Sequence, residues 1–356
     1  MAAAESMRRQ LGWDIGGAHV KACLLEGGTL RDLAQWPCPL WQGMQHLDAA
    51  LDLARSRWSA DWDDGLAHAA TMTGEMVDLF PDRAEGVARI AGSLAQSLGP
   101  SLRLLDAQGG WCAPHEAAGQ WRSIASANWC ATARIVAARL GDALLVDIGS
   151  TTTDLIPLRG GRIAALGTND AERLATGELV YHGVVRTPLC ALGPQVRLRG
   201  SRVNVMNEFF ATTADVYRLT GDLDAAHDQA TTADGRGKDV EATRQRLARM
   251  VGRDAGDATA ADWLALAGFW KQAQLRVLWG QMERVGAGAG LSPAAPLVGA
   301  GCGAFLAAQL ARESGRPFLR YAEVAFPETT GDTGLARWAD VCAPAVSVAL
   351  LACGRG

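Results

Sequence analysis

One sequence motif occurs twice in this chain, and the repeat constrains the fold more than any other feature. Residues 11–28 read LGWDIGGAHVKACLLEGG, and residues 144–161 read LLVDIGSTTTDLIPLRGG. Asp14 and Asp147 align at an offset of 133 residues, and the glycines that follow them align at the same offset. Each copy has an apolar segment, an Asp-Ile-Gly turn, a second apolar segment and a Gly-Gly turn, which is typical of two antiparallel strands. Two such turns facing each other can hold a phosphate chain and its metal ion, so the repeat predicts phosphate chemistry in a cleft between two related domains.

Length and composition exclude several classes of protein. A chain of 356 residues exceeds one ordinary core, and a content of 49% hydrophobic and 20% charged residues excludes a disordered protein. The formal net charge of −4 argues against nucleic acid as a partner. The eight cysteines are scattered without a C-x-x-C motif, which favours reduced thiols. Neither a signal-peptide core nor an apolar run of membrane-spanning length is present, so we expect a cytoplasmic protein without a membrane partner. The oligomeric state, a homodimer included, is left open.

The distribution of apolar residues predicts an α/β fold with two related domains. The first domain is expected at residues 1–141 and the second at 142–356, with β-meanders at 10–36 and 143–167. Other elements expected in the second domain are a helical insertion at about 207–290, a glycine-rich turn at 299–303, a strand at 317–324 and an apolar helix at 335–352 that can pack back on the first domain.

The two Asp-Ile-Gly turns carry residues suited to bind phosphate and Mg²⁺. Glycine lets backbone N–H groups approach phosphate oxygens, and a carboxylate at a strand end can hold Mg²⁺ directly or through water. We therefore assign Asp14 and Asp147 as metal ligands and Lys21 as a point charge for phosphate. A hairpin whose aspartate merely caps the turn is the alternative, which the repeat disfavours. The expected phosphate-binding residues are Gly16, Gly17, Gly149, Ser150, Thr151, Thr152, Thr153 and Asp154, the last at the position that Lys21 has in the first copy.

A third glycine-rich element lies between a predicted strand and a predicted helix. Gly299, Gly301 and Gly303 would let the helix N-terminus point at an anion, as in nucleotide-binding turns. Close packing of the helix on the sheet also selects glycine, so the turn alone does not establish a nucleotide site. If the turn contacts adenosine, Gly301→Val should raise the KM for a nucleotide.

Taken in order, the three elements resemble those of the actin-like ATPase superfamily, which includes sugar kinases, acetate kinase, heat-shock ATPases and actin. The resemblance covers the whole chain in outline. It implies two ribonuclease H-like domains, each with a phosphate loop, and a ligand cleft between them. The loop after Asp147 is also similar to that of the hydantoinase A/oxoprolinase family.

Five segments resemble more closely the tetrahydromethanopterin-linked C1-transfer pathway proteins of methylotrophic bacteria and methanogenic archaea. They read WDIGGAHVKACLL, TMTGEMVDLF, SANWCATARIVA, LLVDIGSTTTDLIPL and GTNDAERLATGELVYHGVVRTPL. An archaeal branch is assigned to methanofuran biosynthesis, where an aminomethyl-furan methanol diphosphate is joined to the phenol of γ-glutamyltyramine and diphosphate is released. The resemblance implies a one-carbon cofactor (methanofuran or methylofuran) transferase that binds Mg²⁺ with a substrate diphosphate in place of ATP. Ala18 and His19 stand where superfamily kinases have hydroxyl residues, which disfavours ordinary ATP chemistry.

The implied reaction assigns further residues. Asp14, Asp147 and Lys21 would stabilise the departing diphosphate, and a general base would activate the phenol, whose pKa is near 10. The candidate bases are Glu75 and Glu178, and a carboxylate at a helix start is an equal explanation for each. An ion pair is as good an explanation for Arg186 as an acceptor carboxylate. The expected substrate-binding residues are Asn128, Tyr181, Arg186, Thr187, Asn207 and Glu208.

Two other functions fit the same sequence. One is an ATP-dependent small-molecule kinase or ligase, which ATP turnover would identify. The other is a non-catalytic nucleotide-binding regulatory protein, which would bind nucleotide tightly without turnover. All three readings require Asp14 and Asp147 to face one cleft, and carboxylates on opposite surfaces would contradict them.

Overall fold

Two β-sheets form the frame of the computed structural model, which describes residues 9–62, 65–328 and 334–355. In chain order, the strands of the first sheet are β1 (Arg9–Ile15), β2 (His19–Glu26), β3 (Thr29–Pro37), β4 (Ala67–Met72), β5 (Leu102–Leu105) and β6 (Trp111–Cys112). The order across this sheet is β3-β2-β1-β4-β5-β6, and β1 is antiparallel to β2 and parallel to β4.

The second sheet repeats this arrangement around another central strand. The remaining strands are β7 (Ala143–Ile148), β8 (Thr153–Arg159), β9 (Arg162–Ile163), β10 (Leu179–Val180), β11 (Gln195–Leu198), β12 (Ser201–Asn204), β13 (Leu297–Ala300) and β14 (Phe318–Arg320). The order is β10-β8-β7-β13-β14, with β9 also paired to β8, while β11 and β12 form a separate hairpin. Strand β7 is antiparallel to β8 and parallel to β13, as β1 is to β2 and β4.

The repeat in the sequence is a repeat in strand register. Asp14 lies opposite Lys21 in the β1–β2 pair, and Asp147 lies opposite Asp154 in the β7–β8 pair. Both Gly-Gly turns have φ between 55° and 79°, the left-handed conformation that two-residue hairpin turns require. The predicted α/β class is confirmed, and the division into domains at residue 141 stays a prediction. We call residues 9–141 the first lobe and residues 142–328 the second lobe.

Helices pack on the outer faces of the sheets and between them. Along β1, Leu11, Trp13 and Ile15 face the outer core of the first lobe, as expected for alternating side chains. The α-helices are α1 (Gln45–Arg57), α2 (Arg83–Leu98), α3 (Trp121–Ile124), α4 (Asn128–Arg139), α5 (Asp170–Thr176), α6 (Thr213–Thr220), α7 (Val240–Arg249), α8 (Ala260–Gly288), α9 (Ala304–Ser314), α10 (Tyr321–Ala325), α11 (Gly334–Val341) and α12 (Ala343–Ala352).

The C-terminal helix α12 packs directly against β1 and β4 of the first sheet and against α4. A Cβ atom at Gly12 would lie 2.1 Å from the carbonyl oxygen of Ala345 and 2.7 Å from Cβ of Ala349. Any side chain at Gly12 would therefore push α12 away from β1.

Two predicted elements near the C-terminus differ in the structure. The strand predicted at 317–324 ends at Arg320, because Glu323 accepts a hydrogen bond from the Arg320 N–H and caps a short helix, α10. The single helix predicted at 335–352 is two helices, α11 and α12, that meet at 89°. Pro344 lies in the first turn of α12, where its missing N–H costs no hydrogen bond, so it starts a helix and cannot continue one. Among the described helices, none alone has the length and apolar composition of a membrane span; only the bent pair α11–α12 has them when taken together.

His68 gives the first lobe a pH-dependent stability. The indole Nε1 of Trp13 donates to Nδ1 of His68 at 3.2 Å, and the imidazole is buried. Burial, with a smaller contribution from Arg55, lowers the pKa of His68 to about 4. Because the unfolded chain has the higher pKa, this contribution is complete above pH 6.5 and is lost as the pH falls toward 4.

We expect His68→Gln to reduce that loss, because glutamine can accept the indole hydrogen bond without titrating. Between pH 7 and pH 4, the free energy of unfolding should fall by about 2–3 kcal/mol more in the wild type than in the variant. Urea denaturation at the two pH values measures this difference. Equal losses in both proteins would contradict the role of His68.

Candidate active site

Both Asp-Ile-Gly turns face one cavity of about 440 Å³, which residues of both lobes line. Asp14 and Asp147 are both on its wall, as the repeat predicts. The predicted residues that line the cavity are Asp14, Gly16, Gly17, Lys21, Asn128, Asp147, Gly149, Ser150, Thr151, Thr152, Asp154, Tyr181 and Arg186.

Equivalent backbone hydrogen bonds close the two Asp-Ile-Gly turns, and two N–H groups of the second turn have no protein acceptor. The N–H of Gly16 donates to the carbonyl of His19 at 3.0 Å, and the N–H of Gly149 donates to the carbonyl of Thr152 at 2.9 Å. Within the described residues, the N–H groups of Ser150 and Thr151 have no hydrogen bond to the protein. Such unpaired amides beside a cavity form an anion-binding concavity.

The loop before β11 holds the second turn in place. The N–H groups of Val185 and Arg186 donate to the carbonyl of Ser150, at 3.1 and 2.8 Å. A Cβ atom at Gly183 would lie 2.3 Å from the Ser150 carbonyl carbon, so only glycine allows this approach. Thr187 is buried, bonds to Gly183 and does not line the cavity, so it supports this loop, and its assignment to substrate binding stays a prediction.

A group of buried carboxylates forms the floor of the cavity. Burial raises the pKa of Asp147 to about 7, and the nearby charges of Asp154 and Asp14 raise it further against the opposing effect of Lys21. Burial also raises the pKa of Asp14, whose Oδ2 lies 3.9 Å from Nζ of Lys21. Asp154 is paired with the buried Arg173 at 2.7 Å. Three carboxylates thus face two cations.

These residues fit a divalent cation such as Mg²⁺. Oδ1 of Asp14 is buried and has no hydrogen-bond partner, which is costly unless a cation or water meets it. Carboxylate oxygens are ligands that Mg²⁺ prefers. No group of three or more His, Cys, Asp or Glu side chains in the described ranges could form a protein-only cage. Asp14 and Asp147 would therefore supply part of the coordination and leave the rest to water and phosphate oxygens.

Thr153 and Glu178 form hydrogen bonds within the protein and do not line the cavity. The hydroxyl of Thr153 donates to the carbonyl of His182 at 2.7 Å, so it points away from the cavity. The carboxylate of Glu178 accepts from the N–H groups of Leu166 and Gly167, at 2.6 and 2.8 Å, and from the hydroxyl of Thr176. Glu178 is 2% exposed and does not line the cavity, so the structure places it away from the predicted ligand, and its role as a base stays a prediction.

Three more predicted residues lie off the cavity wall. Asn207 and Glu208 are exposed, follow the β11–β12 hairpin and do not line the cavity, so their assignment to substrate binding stays a prediction. Glu75 is 1% exposed and lies behind Ser126, whose hydroxyl is 2.9 Å from Oε1 of Glu75. Glu75 is therefore separated from the cavity by Ser126, and its role as a base stays a prediction.

The glycine-rich turn is used for packing. A Cβ atom at Gly299 would lie 2.7 Å from the Phe318 ring, and one at Gly303 would lie 2.5 Å from the Ile148 side chain. Gly301 has φ of 80°, and its Cβ would lie 2.1 Å from the Ile148 carbonyl oxygen. None of the three glycines lines the cavity. The proposed Gly301→Val test is therefore invalid, because the substitution would displace β7 whatever ligand binds.

Several cavity residues were not predicted. Asp170 and Arg173 lie on α5, and the Asn169 cap that starts this helix was the available sequence signal. Trp41 lies in a short 3₁₀ helix, Leu40–Gln42, and His227 lies in a turn, and neither has a recognisable sequence pattern. The other cavity residues missed include His19, Ser126 and Cys302.

Contacts between the lobes enclose this cavity. Arg83 of the first lobe pairs with Asp170 of the second at 2.8 Å. The guanidinium of Arg186 lies 5.1 Å from the centre of the Trp41 ring. The cavity wall is therefore complete only when the two lobes meet.

We expect Asp14→Asn and Asp147→Asn to lose activity without unfolding. Each change removes a charge that would hold Mg²⁺, at a cost of about 10²–10³ in rate. Because each aspartate is buried at an energetic cost, the melting temperature should not fall. Turnover and thermal melts of both variants test this, with Asp52→Asn on the exposed side of α1 as the control. Normal turnover at saturating Mg²⁺ would contradict the assigned roles.

Comparison with known proteins identifies the family of this chain. The model of the hydantoinase/oxoprolinase family matches residues 67–319. A Methanocaldococcus jannaschii protein named (4-{4-[2-(gamma-L-glutamylamino)ethyl]phenoxymethyl}furan-2-yl)methanamine synthase is 33% identical over 246 residues, which cover 68% of this chain and 72% of that protein. A Methanococcus vannielii protein of the same name is 34% identical over 124 residues, covering 35% of this chain and 55% of that protein.

One solved structure is similar to this chain in its fold. Nucleotide-free acetone carboxylase superimposes with a TM-score of 0.56 at 11% identity, covering 86% of this chain and 67% of that one. This similarity supports the predicted fold. Because the family model spans most of its length, this chain belongs to the hydantoinase/oxoprolinase family.

Proposed function

We propose that this protein is a transferase that joins a furfuryl diphosphate to the phenol of a tyramine derivative, forming an aryl alkyl ether and releasing diphosphate. The observation that carries the proposal is the pair of Asp-Ile-Gly turns on one cavity, each with an aspartate, together with the unpaired backbone amides of the second turn. The reaction would serve the biosynthesis of a methanofuran-type cofactor.

The printed name of the M. jannaschii relative specifies the bond that its product contains. A phenoxymethyl-furan has an oxygen between an aromatic ring and a furfuryl carbon. The direct route to this bond is attack of a phenol oxygen on a furfuryl carbon that carries a leaving group. The cavity suits an anionic leaving group, since its turns present N–H donors and Lys21 presents a positive charge.

In the proposed reaction, the phenol oxygen forms a bond to the furfuryl CH₂ as the bond from that carbon to the diphosphate oxygen breaks. The electron pair leaves with diphosphate, and the phenol proton passes to a base. Lys21 and the amides of Ser150 and Thr151 stabilise the charge that develops on the leaving oxygen. When bound by Asp14 and Asp147, Mg²⁺ would neutralise part of the diphosphate charge.

An ATP-dependent kinase would need a place for adenosine. The glycine-rich turn reaches the cavity wall only with Cys302, and its three glycines pack against β7 and β14 with no room for a ligand beside them. This packing favours diphosphate of the substrate over ATP as the ligand of the two turns.

Product analysis tests the proposed function. The protein is incubated with Mg²⁺, an aminomethyl-furfuryl diphosphate and γ-glutamyltyramine, and mass spectrometry follows the ether while a phosphate assay follows diphosphate. We expect equimolar ether and diphosphate, with none from Asp147→Asn. A phosphorylated acceptor formed at the expense of ATP would establish the kinase instead, and tight nucleotide binding without any product would establish a regulatory protein.

We further expect Mg²⁺-diphosphate to bind well and Mg²⁺-ATP to bind weakly or not at all. Lys21→Met should weaken diphosphate binding by about 10–100-fold, because it removes one charged hydrogen bond. Lys271→Met is the matched control, since Lys271 pairs with Asp222 and does not line the cavity. Calorimetric titration measures both affinities. Micromolar ATP binding that survives Lys21→Met would contradict this expectation.

A further inference from the structure

Ser126 has an unusual backbone conformation on the cavity wall. Its φ is +51°, and Arg199 is the only other described non-glycine residue with positive φ. This left-handed conformation costs a non-glycine residue on the order of 1 kcal/mol. Ser126 is 7% exposed and lines the cavity together with Asp170. The conformation places its hydroxyl between two carboxyl groups.

The carboxyl groups of Glu75 and Asp170 cannot both accept a hydrogen bond from the single hydroxyl hydrogen of Ser126. Oγ of Ser126 lies 2.9 Å from Oε1 of Glu75 and 2.9 Å from Oδ2 of Asp170. A serine hydroxyl has one hydrogen, so it can donate to one carboxyl group only. The second contact is a hydrogen bond only if one carboxyl group is protonated and donates to Oγ.

Glu75 is the carboxyl group that holds the proton. It is 1% exposed, and its other oxygen, Oε2, is buried without a hydrogen-bond partner. Burial raises its pKa; the Ser126 hydrogen bond and the charge of Arg83 oppose this rise, and the charge of Asp170 adds to it. Asp170 differs, because it forms an ion pair with Arg83 at 2.8 Å. The hydrogen bonds therefore run from Glu75 to Ser126 and from Ser126 to Asp170.

This network joins the lobes beside the ligand space. Glu75, Arg83 and Ser126 belong to the first lobe, and Asp170 belongs to the second. Ser126 and Asp170 reach the cavity, whereas Glu75 lies behind them. A hydroxyl group that enters the cavity can thus meet a serine whose own hydrogen already points at a carboxylate.

We propose that Asp170 accepts the proton of the attacking phenol through Ser126, and that Glu75 is a positioning residue that orients the Ser126 hydroxyl toward Asp170. This assignment rests on the proposed transferase function. As the phenol oxygen bonds to the furfuryl carbon, its proton moves to Oγ of Ser126 while the original Ser126 proton moves to Oδ2 of Asp170. The electron pair of the broken carbon–oxygen bond leaves with diphosphate, and Asp170 later releases its proton to water.

A structural connection between the lobes is the competing explanation, and a pair of variants separates the two. Asp170→Asn removes both the ion pair with Arg83 and the proton acceptor, whereas Arg83→Met removes the ion pair only. Proton acceptance predicts a fall in kcat of about 10²–10⁴-fold for Asp170→Asn and a fall of less than about tenfold for Arg83→Met. A purely structural role predicts equal losses in the two variants.

Substitutions of Ser126 and Glu75 that should preserve the fold test the role of each residue. Glycine adopts positive φ without strain, so Ser126→Gly should melt no lower than the wild type while its kcat falls by about 10–100-fold. Glu75→Leu should lower kcat by about tenfold, and Glu75→Gln, whose amide can donate to Oγ, should recover most of that loss. If Glu75 were the acceptor, Glu75→Gln would instead lose as much activity as Asp170→Asn.

A change of acceptor completes the test. With a fluorinated γ-glutamyltyramine whose phenol is already ionised at neutral pH, the kcat loss of Asp170→Asn should shrink to less than about tenfold, while the loss of Asp147→Asn should persist. An undiminished loss of Asp170→Asn with this acceptor, or equal losses in Asp170→Asn and Arg83→Met, overturns the assignment and leaves the transferase function standing. Absence of ether with the wild-type protein overturns both.

Discussion

The burial of like-charged carboxylates between the lobes is the constraint on which the site depends. Asp14, Asp147 and Asp154 share one cavity with Lys21 and Arg173 as counter-charges. Their mutual repulsion and burial cost stability, and a divalent cation with phosphate would relieve that cost. Relief of this repulsion would therefore favour binding of a metal ion together with phosphate.

The strand register of the two repeated hairpins determines where these charged residues lie. Hairpin register sets Asp14 opposite Lys21 and Asp147 opposite Asp154, and the Asp-Ile-Gly turns that connect these strands are each closed by a backbone hydrogen bond from Gly16 or Gly149. The close packing of α12 on Gly12 then ties the C-terminus to the first sheet. The two hairpins thus have the same backbone arrangement but different charges. The residue opposite the aspartate is a cation, Lys21, in the first copy and an anion, Asp154, in the second.

Local patterns predicted the turns well because register and turn chemistry are short-range properties. The roles of Glu178 and Ser126 could not be predicted in this way. The carboxylate of Glu178 accepts hydrogen bonds from the backbone N–H groups of Leu166 and Gly167, and these two residues lie in an irregular loop. Ser126 owes its position to a left-handed backbone and to Asp170 of the other lobe, which no spacing in the sequence encodes. A carboxylate pattern indicates chemistry only when its oxygens remain free, and that depends on tertiary contacts.

Glycine-rich turns illustrate how one fold can take different phosphate ligands. In this chain the Gly299–Gly303 turn brings α9 and β13 close to β7 and Phe318, and its close approach leaves no room for a side chain, let alone a base, at those glycines. The two Asp-Ile-Gly turns keep carboxylates on the cavity wall, and the second also keeps unpaired amides, so the part of the site that suits phosphate does not depend on the glycine-rich turn. Under the proposed function, a substrate that carries its own diphosphate would need only that part.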